Sequence, residues 1–355
     1  PDQGSARASG NGAASSDGDA APTKAERIAR KAPNYTAVMA QELIGIAAED
    51  ERVVAITAGM PTGTGVAAFG ERFPGRSFDV GISEQHAMTM AAGMALAGRR
   101  PFVALYSTFL QRAFDQVVHD VCQNDTPVVI GIDRAGLVGE DGTSHQGMFT
   151  LTALRQLPNL VLAAPRDEQQ LRRLLRTAFA QEHPFAIQYP RDPGFDLPAV
   201  DPEPVEVGRG EVLRDGDDIV VLGLGPILAR GMRVAGDLAA EGWSVALVDA
   251  RFARPIDREL IVEQARGKRL IVTLEESVLP GGFGSAVLEV LADDAGADAI
   301  APVKRIGLPD GKFVDHGSVT DLRALVRIDA PGIRLQIVEA IAAPGLAPRV
   351  NTVEA

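Results

Sequence analysis

The fold is decided by the stretch Pro101–Asp133, which reads PFVALYSTFLQRAFDQVVHDVCQNDTPVVIGID. Two short apolar runs, Pro101–Tyr106 and Pro127–Asp133, flank a segment with helical spacing, Phe109–Cys122. Short, continuous apolar strands separated by a helix are typical of a parallel β-sheet that is covered by helices on both faces. The stretch therefore predicts a β-α-β unit inside an α/β domain.

The same alternation of strands and helices runs along most of the chain and is interrupted once. It stops in the stretch Pro190–Pro204, which is rich in proline and aspartate, and we place a domain boundary there. Further strands are predicted at Arg52–Ala58, Asn159–Ala164, Pro184–Tyr189, Asp218–Leu224, Ser244–Ala250, Lys268–Leu274 and Ala301–Ile306. Further helices are predicted at Tyr35–Glu49, Glu84–Gly98, Glu168–Gln181, Ile227–Glu241 and Phe283–Ala292, with two more after them.

The pattern predicts two doubly wound α/β domains, the second smaller than the first. We assign residues 33–192 to the first domain, 193–205 to a linker and 206–345 to the second domain. Residues 1–32 contain almost no large apolar side chains, so we expect a disordered tail or linker there, and a second tail at 346–355. A length of 355 residues agrees with two domains.

Composition and charge exclude several classes of function. The formal charge of −12 disfavours a nucleic-acid-binding surface, because such a surface needs a basic face. Cys122 is the only cysteine, so the chain cannot form an intramolecular disulfide, and a reducing cytoplasm is the expected location. No apolar run approaches the roughly 20 residues of a membrane span, so we expect no membrane association.

The stretch Asp79–His86, DVGISEQH, places an acid, Glu84, at the start of a predicted helix. The segment Ser77–Val80 before it is strand-like, and ligands of open α/β sheets gather at the carboxyl ends of strands. The helix itself is rich in alanine, glycine and methionine, which permits close approach of a cofactor or partner. Position alone favours a simpler explanation, because an acid in the first turn also stabilises the helix dipole.

Two more segments follow predicted strands and carry polar side chains. The first, Tyr106–Asp115, crowds aromatic side chains and an arginine at a helix entry. The second, Asp133–Gly147, reads DRAGLVGEDGTSHQG and brings Arg134, Asp141 and His145 into one glycine-rich loop. Loops that a rigid sheet positions often carry catalytic residues. An ordinary turn with a surface histidine would explain the second segment equally well.

A partial dinucleotide fingerprint also lies in the second domain. The turn Gly223–Leu228 follows a strand, and Asp249 ends the next strand, where a ribose contact would be expected. A leucine replaces the third glycine of that fingerprint, so we interpret the segment as a tight strand–helix turn.

Three blocks of this sequence resemble a known family. They are VGISEQHAMTMAAGMALAG from Val80, YSTFLQRAFDQVVHDV from Tyr106 and IDRAGLVGEDGTSHQGMF from Ile132. They resemble the pyrimidine-binding domain of 1-deoxy-D-xylulose-5-phosphate synthase, a transketolase-like thiamine-diphosphate family. The segments Pro184–Arg191 and Leu308–Gly317 extend the likeness into a transketolase C-terminal-like domain, so that it covers about residues 33–343.

The resemblance implies roles for individual residues. Glu84 would hydrogen-bond the pyrimidine N1′ of thiamine diphosphate and activate the cofactor, Phe109 would stack on the aminopyrimidine, and Ile82 would also contact the cofactor. The substrate-binding residues would be Tyr106, Arg134 and Arg191, which would line a pocket for D-glyceraldehyde 3-phosphate, together with Asp141 and His145. The last two match catalytic positions near the reacting carbon. We interpret Arg112 and Asp115 as an ordinary i,i+3 helix pair.

The resemblance also implies an activity and partners. The family condenses pyruvate with D-glyceraldehyde 3-phosphate to 1-deoxy-D-xylulose 5-phosphate and CO₂, a precursor of isoprenoids, thiamine and pyridoxal, and a homodimer is expected. Family enzymes hold Mg²⁺ and the diphosphate with a Gly-Asp-Gly motif, which this sequence lacks. We therefore expect these ligands from an N-terminal diphosphate-binding domain, upstream in the same polypeptide or in a separate subunit. Two alternatives are the C-terminal subunit of a split transketolase acting on ketose phosphates and a non-catalytic dimerisation module.

Overall fold

The computed structural model describes residues 32–198, 201–296 and 301–342. The predicted tails, 1–32 and 346–355, lie outside these ranges apart from residue 32. Within the described residues the strands are β1 (Val53–Thr57), β2 (Ser77–Asp79), β3 (Arg100–Tyr106), β4 (Val129–Asp133), β5 (Val161–Ala163), β6 (Phe185–Gln188), β7 (Glu211–Arg214), β8 (Ile219–Gly223), β9 (Val245–Asp249), β10 (Phe252–Arg254), β11 (Leu270–Val278) and β12 (Val303–Leu308).

The strands form two sheets. The first has the order β10-β5-β6-β4-β3-β1-β2, and the second has the order β12-β11-β8-β9-β7. Strands β1, β3 and β4 are buried along their whole length, as expected for the centre of a sheet that is covered on both faces. All neighbouring strands are parallel except β10 with β5 and β7 with β9. The predicted parallel sheets are thus confirmed in their interiors, and each carries a short antiparallel edge strand.

Helices connect the strands and cover the sheets. They are α1 (Tyr35–Glu49), α2 (Val66–Arg72), α3 (Glu84–Leu96), α4 (Ser107–Leu110), α5 (Phe114–Gln116), α6 (Thr150–Leu154), α7 (Glu168–Phe179), α8 (Leu228–Ala240), α9 (Arg258–Ala265), α10 (Phe283–Asp294), α11 (Val319–Leu325) and α12 (Ala330–Ile341). Side-chain caps fix several of their starts: Asn34 accepts a hydrogen bond from the Ala37 amide at α1, and Asp167 accepts one from the Gln170 amide at α7.

The prediction of one regular helix at Phe109–Cys122 is wrong. The helical path begins at Ser107 and passes through α4, a 3₁₀ turn at Gln111–Ala113, α5 and a π-helix at Val117–Cys122. At its end the Gln123 amide donates to the Val118 carbonyl, five residues back, at 2.9 Å. Apolar spacing of about 3.6 residues does not distinguish these tighter and wider turns from a regular α-helix.

Strand β10 joins the two halves of the chain, because it belongs to the second half but pairs with β5 of the first sheet. The neighbouring Asp249 is fully buried, and its carboxylate accepts hydrogen bonds from Arg166 at 2.9 Å and Gln170 at 2.7 Å. These hydrogen bonds occupy the Asp249 carboxylate, which a bound ribose would otherwise contact. This agrees with the interpretation of Gly223–Leu228 as a tight strand–helix turn.

None of the helices in the described part of the chain has the length and apolar character that a membrane crossing requires.

Candidate active site

The parallel order of the first sheet brings the predicted site segments together. Strands β1, β3 and β4 are adjacent and parallel, so the turns that follow them meet at one edge of the sheet. That edge carries the turn Gly59–Gly65, the entry to α4 at Tyr106 and the loop Asp133–Gly147. Strand β2 lies beside β1 and leads to Glu84.

Four of the predicted site residues form one cluster of stacked side chains. The rings of Tyr106 and Phe109 are stacked, with their centroids 5.3 Å apart and their planes 12° apart. The Arg134 guanidinium lies 3.8 Å from the centre of the Tyr106 ring. The His145 ring meets Phe109 edge-on at 5.5 Å. Such offset and edge-on contacts are favourable for aromatic rings, so each side chain limits the positions of the next.

The Arg134 side chain is fixed by contacts that the sequence did not reveal. Its Nη1 donates to the Gly63 carbonyl at 2.8 Å and lies 3.0 Å from the Asp133 carboxylate. Asp133 is fully buried, and its other carboxylate oxygen, Oδ2, accepts a hydrogen bond from the Thr36 hydroxyl at 2.7 Å. Burial raises the pKa of Asp133 to about 6, although Arg134 and Thr36 favour the charged form.

Arg191 and Asp141 contact each other directly. Arg191 Nη1 lies 3.0 Å from Asp141 Oδ1, and it reaches the Val138 carbonyl at 3.5 Å. Asp141 lies in a 3₁₀ turn, Gly139–Asp141, of the loop that follows β4. The structure thus brings these two predicted residues together through an ion pair that closes the loop against the end of β6.

Arg134 and Arg191 line the same cavity, which has a volume of about 620 Å³. Thr36, Gly63 and Gly65 contribute to the same wall. Guanidinium groups can bind phosphate oxygens through two parallel N–H donors, so the chemistry of this cavity suits an anionic ligand.

Glu84 begins α3 and has an exposed fraction of only 3%. Its Oε2 accepts no hydrogen bond from the residues that the structure describes, although Arg112 Nη1 lies 3.5 Å away. A buried carboxylate oxygen without a hydrogen-bond donor fits a site that receives a donor group from a bound molecule. The pairing also shows that the interpretation of Arg112 and Asp115 as a helix pair is wrong: Asp115 lies 3.0 Å from His119.

Ile82 lies two residues before Glu84 and has an exposed fraction of 77%. Its side chain packs close to Gly59 of the turn after β1, where a Cβ on the glycine would come within 3.2 Å of Ile82 Cγ1. Leu96, at the other end of α3, is also exposed. A large apolar side chain in this position is suited to packing against a ligand or another protein surface.

No group of three or more histidine, cysteine, aspartate or glutamate side chains in the described ranges is arranged to hold a metal ion. The expectation that Mg²⁺ ligands come from another domain stays a prediction.

Two family matches cover most of the chain. The transketolase pyrimidine-binding domain matches residues 31–194, and the transketolase C-terminal domain matches residues 208–333. The chain is 50% identical to the 1-deoxy-D-xylulose-5-phosphate synthase of Thermomicrobium roseum over 315 residues, which are 88% of this chain and 49% of the relative. It is 47% identical to 1-deoxy-D-xylulose-5-phosphate synthase 1 of Geobacter sulfurreducens over 326 residues, 91% of this chain and 50% of the relative. The chain thus spans about half the length of these relatives.

Solved structures agree with these matches. A chain described as a split-gene transketolase, an inactive β4 tetramer, has a TM-score of 0.76 and 32% identity, and the match covers 87% of this chain and 98% of that one. A transketolase from Pichia stipitis shares the fold, with a TM-score of 0.70 at 18% identity, over 88% of this chain and 46% of that one.

The order of the two matched domains and their fold define a protein of the transketolase class, which confirms the predicted fold class. Within that class the chain belongs to the 1-deoxy-D-xylulose-5-phosphate synthase family, of which it carries the pyrimidine-binding and C-terminal domains.

Proposed function

We propose that this chain supplies the pyrimidine half of a thiamine-diphosphate active site that condenses pyruvate with D-glyceraldehyde 3-phosphate to give 1-deoxy-D-xylulose 5-phosphate and CO₂. The observation that carries the proposal is the buried Glu84 carboxylate, with one oxygen lacking a hydrogen-bond donor among the described residues. It lies at the same sheet edge as the cavity lined by two arginines. The names of the relatives support this choice of reaction.

The residues present fit the pyrimidine end of the cofactor. Glu84 would hold a proton at the ring nitrogen N1′, Phe109 would pack against the ring, and Ile82 would cover it. When bound, thiamine diphosphate supplies the nucleophilic carbon and the electron sink that decarboxylation of a 2-oxo acid requires. The diphosphate and its Mg²⁺ need additional oxygen ligands, and we propose that a diphosphate-binding domain supplies them.

The other site residues act on the substrates. Arg134 and Arg191 bind the phosphate of D-glyceraldehyde 3-phosphate in the cavity that they line. The wall of Tyr106 and Phe109 restricts access of water to the reacting groups. His145 and Asp141 orient the aldehyde and exchange a proton with its oxygen; Ser144 Oγ lies 3.0 Å from His145 Nδ1 and restricts rotation of that ring.

The reaction is tested in the complete enzyme, in which this chain is joined to or mixed with a family diphosphate-binding domain, thiamine diphosphate and Mg²⁺. With pyruvate and D-glyceraldehyde 3-phosphate we expect equal amounts of CO₂ and 1-deoxy-D-xylulose 5-phosphate. A parallel assay replaces pyruvate with a ketose phosphate donor. Transfer from the ketose phosphate without release of CO₂ from pyruvate would contradict the proposal.

A second candidate, the C-terminal subunit of a split transketolase, is favoured by the match that covers 98% of a split-gene transketolase chain. The ketose phosphate assay described above distinguishes it. A non-catalytic dimerisation module would give no turnover with either donor.

We also propose that the protein forms a homodimer, to which the exposed apolar side chains of Ile82 and Leu96 contribute contacts. Its buried and only cysteine, Cys122, fits a reducing cytoplasm. Light scattering of the purified protein measures the oligomeric state directly.

A further inference from the structure

A cluster of four charged side chains lies at the contact between the two domains. Glu276 of β11 lies 2.6 Å from Arg230 of α8 and 2.9 Å from Arg323 of α11. Arg323 Nη2 also lies 2.5 Å from Asp192, which follows β6 of the first domain. Glu276 and Arg323 have exposed side-chain fractions of only 16% and 15%.

Glu276 also contacts the loop that carries Arg134. Its Oε1 accepts a hydrogen bond from the Leu137 amide at 3.2 Å, three residues after Arg134. The backbone passes so close that a Cβ added to Gly136 would lie 3.0 Å from Glu276 Cγ. A side chain of the second domain thus fixes the first turn of this loop.

Arg323 holds the segment that carries Arg191, because its partner Asp192 is the next residue along the chain. Asp192 is anchored on its other side as well, where its carbonyl accepts a hydrogen bond from the Tyr35 amide at 3.4 Å. One ion pair of the second domain therefore reaches both segments that deliver arginines to the cavity.

Other contacts tie the same loop to the second domain. The Gln146 side chain donates to the Asp315 carbonyl at 3.1 Å and accepts from the Val138 amide at 2.8 Å. Gly139 packs so tightly that a Cβ there would lie 2.8 Å from Val319 Cγ2. The conformation of the loop thus depends on the second domain at both of its ends.

The charge of Glu276 is maintained by its partners. Burial alone would raise its pKa, but Arg323 and Arg230 outweigh burial and hold the pKa of Glu276 below its usual value. The carboxylate therefore stays ionised at neutral pH, and its ion pairs persist under assay conditions.

We propose that Glu276 and Arg323 are positioning residues that set the separation of Arg134 and Arg191, and so determine how strongly the site selects an aldehyde that carries a phosphate. The proposal rests on the proposed function and deepens it. It assigns to the second domain a part in substrate recognition, although neither residue lines the cavity.

The test compares Glu276→Gln with Arg323→Lys in the complete enzyme. Glutamine keeps the shape of Glu276 without its charge, and lysine keeps the charge of Arg323 but lacks the fork that reaches two carboxylates at once. The matched control is Asp218→Asn, because the Asp218–Arg269 pair is similarly buried, at 13% exposure for each side chain, and both residues lie within the second half of the chain. Kinetics are measured with D-glyceraldehyde 3-phosphate and with D-glyceraldehyde, and calorimetry measures binding of D-glyceraldehyde 3-phosphate.

We expect kcat/KM for D-glyceraldehyde 3-phosphate to fall about tenfold in both variants, mainly because KM rises. A change of this size corresponds to the weakening of a charge-assisted hydrogen bond. The kcat/KM for D-glyceraldehyde should stay near that of the wild-type enzyme. Calorimetry should show that D-glyceraldehyde 3-phosphate binds more weakly to both variants, by a similar factor. Asp218→Asn should change neither kcat/KM nor the binding of D-glyceraldehyde 3-phosphate. An equal loss with both aldehydes, or unchanged selectivity in both folded variants, overturns the proposal. Turnover by the wild type tests the proposed function separately, whereas calorimetry reports the positioning effect without turnover.

Discussion

The guanidinium of Arg134 is held at three places: by the face of Tyr106, by the Gly63 carbonyl and by the Asp133 carboxylate. Its own backbone lies in the left-handed region, at φ 60°. A non-glycine residue in this region carries a conformational cost, which the surrounding contacts must offset. We infer that the end of β4 is shaped to present this side chain to the cavity.

Replacing Arg134 with lysine should therefore weaken phosphate binding without changing the fold. The charge remains, but the two-donor fork and the stacking on Tyr106 are lost, so we expect KM for D-glyceraldehyde 3-phosphate to rise about tenfold. Steady-state kinetics measure the change, and Arg209→Ala in the second domain is the control. An unchanged KM would show that Arg134 does not bind the phosphate.

A second prediction concerns Tyr189, which is fully buried at the end of β6. Among the described residues, none forms a hydrogen bond with its hydroxyl. A buried polar group without a partner costs about 1–3 kcal/mol, so Tyr189→Phe should raise the free energy of unfolding by about 1 kcal/mol. Denaturant unfolding gives the value, and a loss of stability would mean that the hydroxyl has a partner.

The burial and the long-range contacts of individual site residues could not be predicted from the sequence. The sequence placed Glu84 at a helix start, but its burial and its contact with Arg112 depend on a side chain 28 positions later in a non-regular helix. Thr36, Gly63 and Glu276 were not predicted, because each lies far along the chain from the residue that it contacts. The assigned roles of the eight candidate site residues stay predictions.

At the scale of elements, helix α10 is capped by a strand. The Glu275 carboxylate of β11 accepts hydrogen bonds from the Phe283 amide at 2.7 Å and the Gly284 amide at 2.8 Å. Burial raises the pKa of Glu275 to about 7, although the hydrogen bonds favour its charged form. The folded protein therefore binds this proton more tightly than the unfolded chain does.

The sign of the pH effect follows from this difference. Between the ordinary pKa of 4.5 and the folded value of about 7, the folded state holds more protons, so its stability falls as pH rises. The expected contribution of Glu275 is a loss on the order of 3 kcal/mol across this window. Denaturant unfolding at several pH values should show that the free energy of unfolding falls less steeply with pH in Glu275→Gln than in the wild-type protein. If stability fell equally with pH in the wild-type protein and in Glu275→Gln, the raised pKa of Glu275 would be contradicted. The raised pKa of Asp133 affects both proteins equally, so it does not change the difference between them.

Most interior strands could be predicted because continuous apolar runs bounded by turn residues are strong signals. Strands β7 and β10 and helices α2, α6 and α9 were missed, because none of them exceeds eight residues and so short an element shows no clear periodic pattern. The predicted domain limits stay predictions. Strand β10 belongs to the second half of the chain but lies in the first sheet, so the two sheets are not formed by two separate stretches of sequence.

At the scale of the whole molecule, the pairing of β10 with β5 couples the stability of the two halves. Phe252 of β10 is fully buried and meets Phe185 of β6 edge-on at 6.5 Å. Replacing Phe252 with alanine should lower the free energy of unfolding by about 3–5 kcal/mol, the usual cost of truncating a buried phenylalanine. Denaturant unfolding measures this loss; Phe313→Ala, at an exposed position, is the control. A loss as small as that of the control would show that β10 does not stabilise the first sheet.

We propose that Glu84 activates a thiamine cofactor in the assembled enzyme, and the activity of a Glu84→Gln variant tests this role. Glutamine preserves size and hydrogen bonding but cannot share a proton with the pyrimidine nitrogen, and such proton transfer typically contributes about 10²–10⁴-fold in rate. With pyruvate, D-glyceraldehyde 3-phosphate, thiamine diphosphate and Mg²⁺, kcat should fall about 100-fold or more while the melting temperature stays close to that of the wild type. Asp115→Asn, an exposed acid in the neighbouring helical segment, should retain activity. Near-normal turnover of the Glu84→Gln enzyme would show that Glu84 does not activate the cofactor.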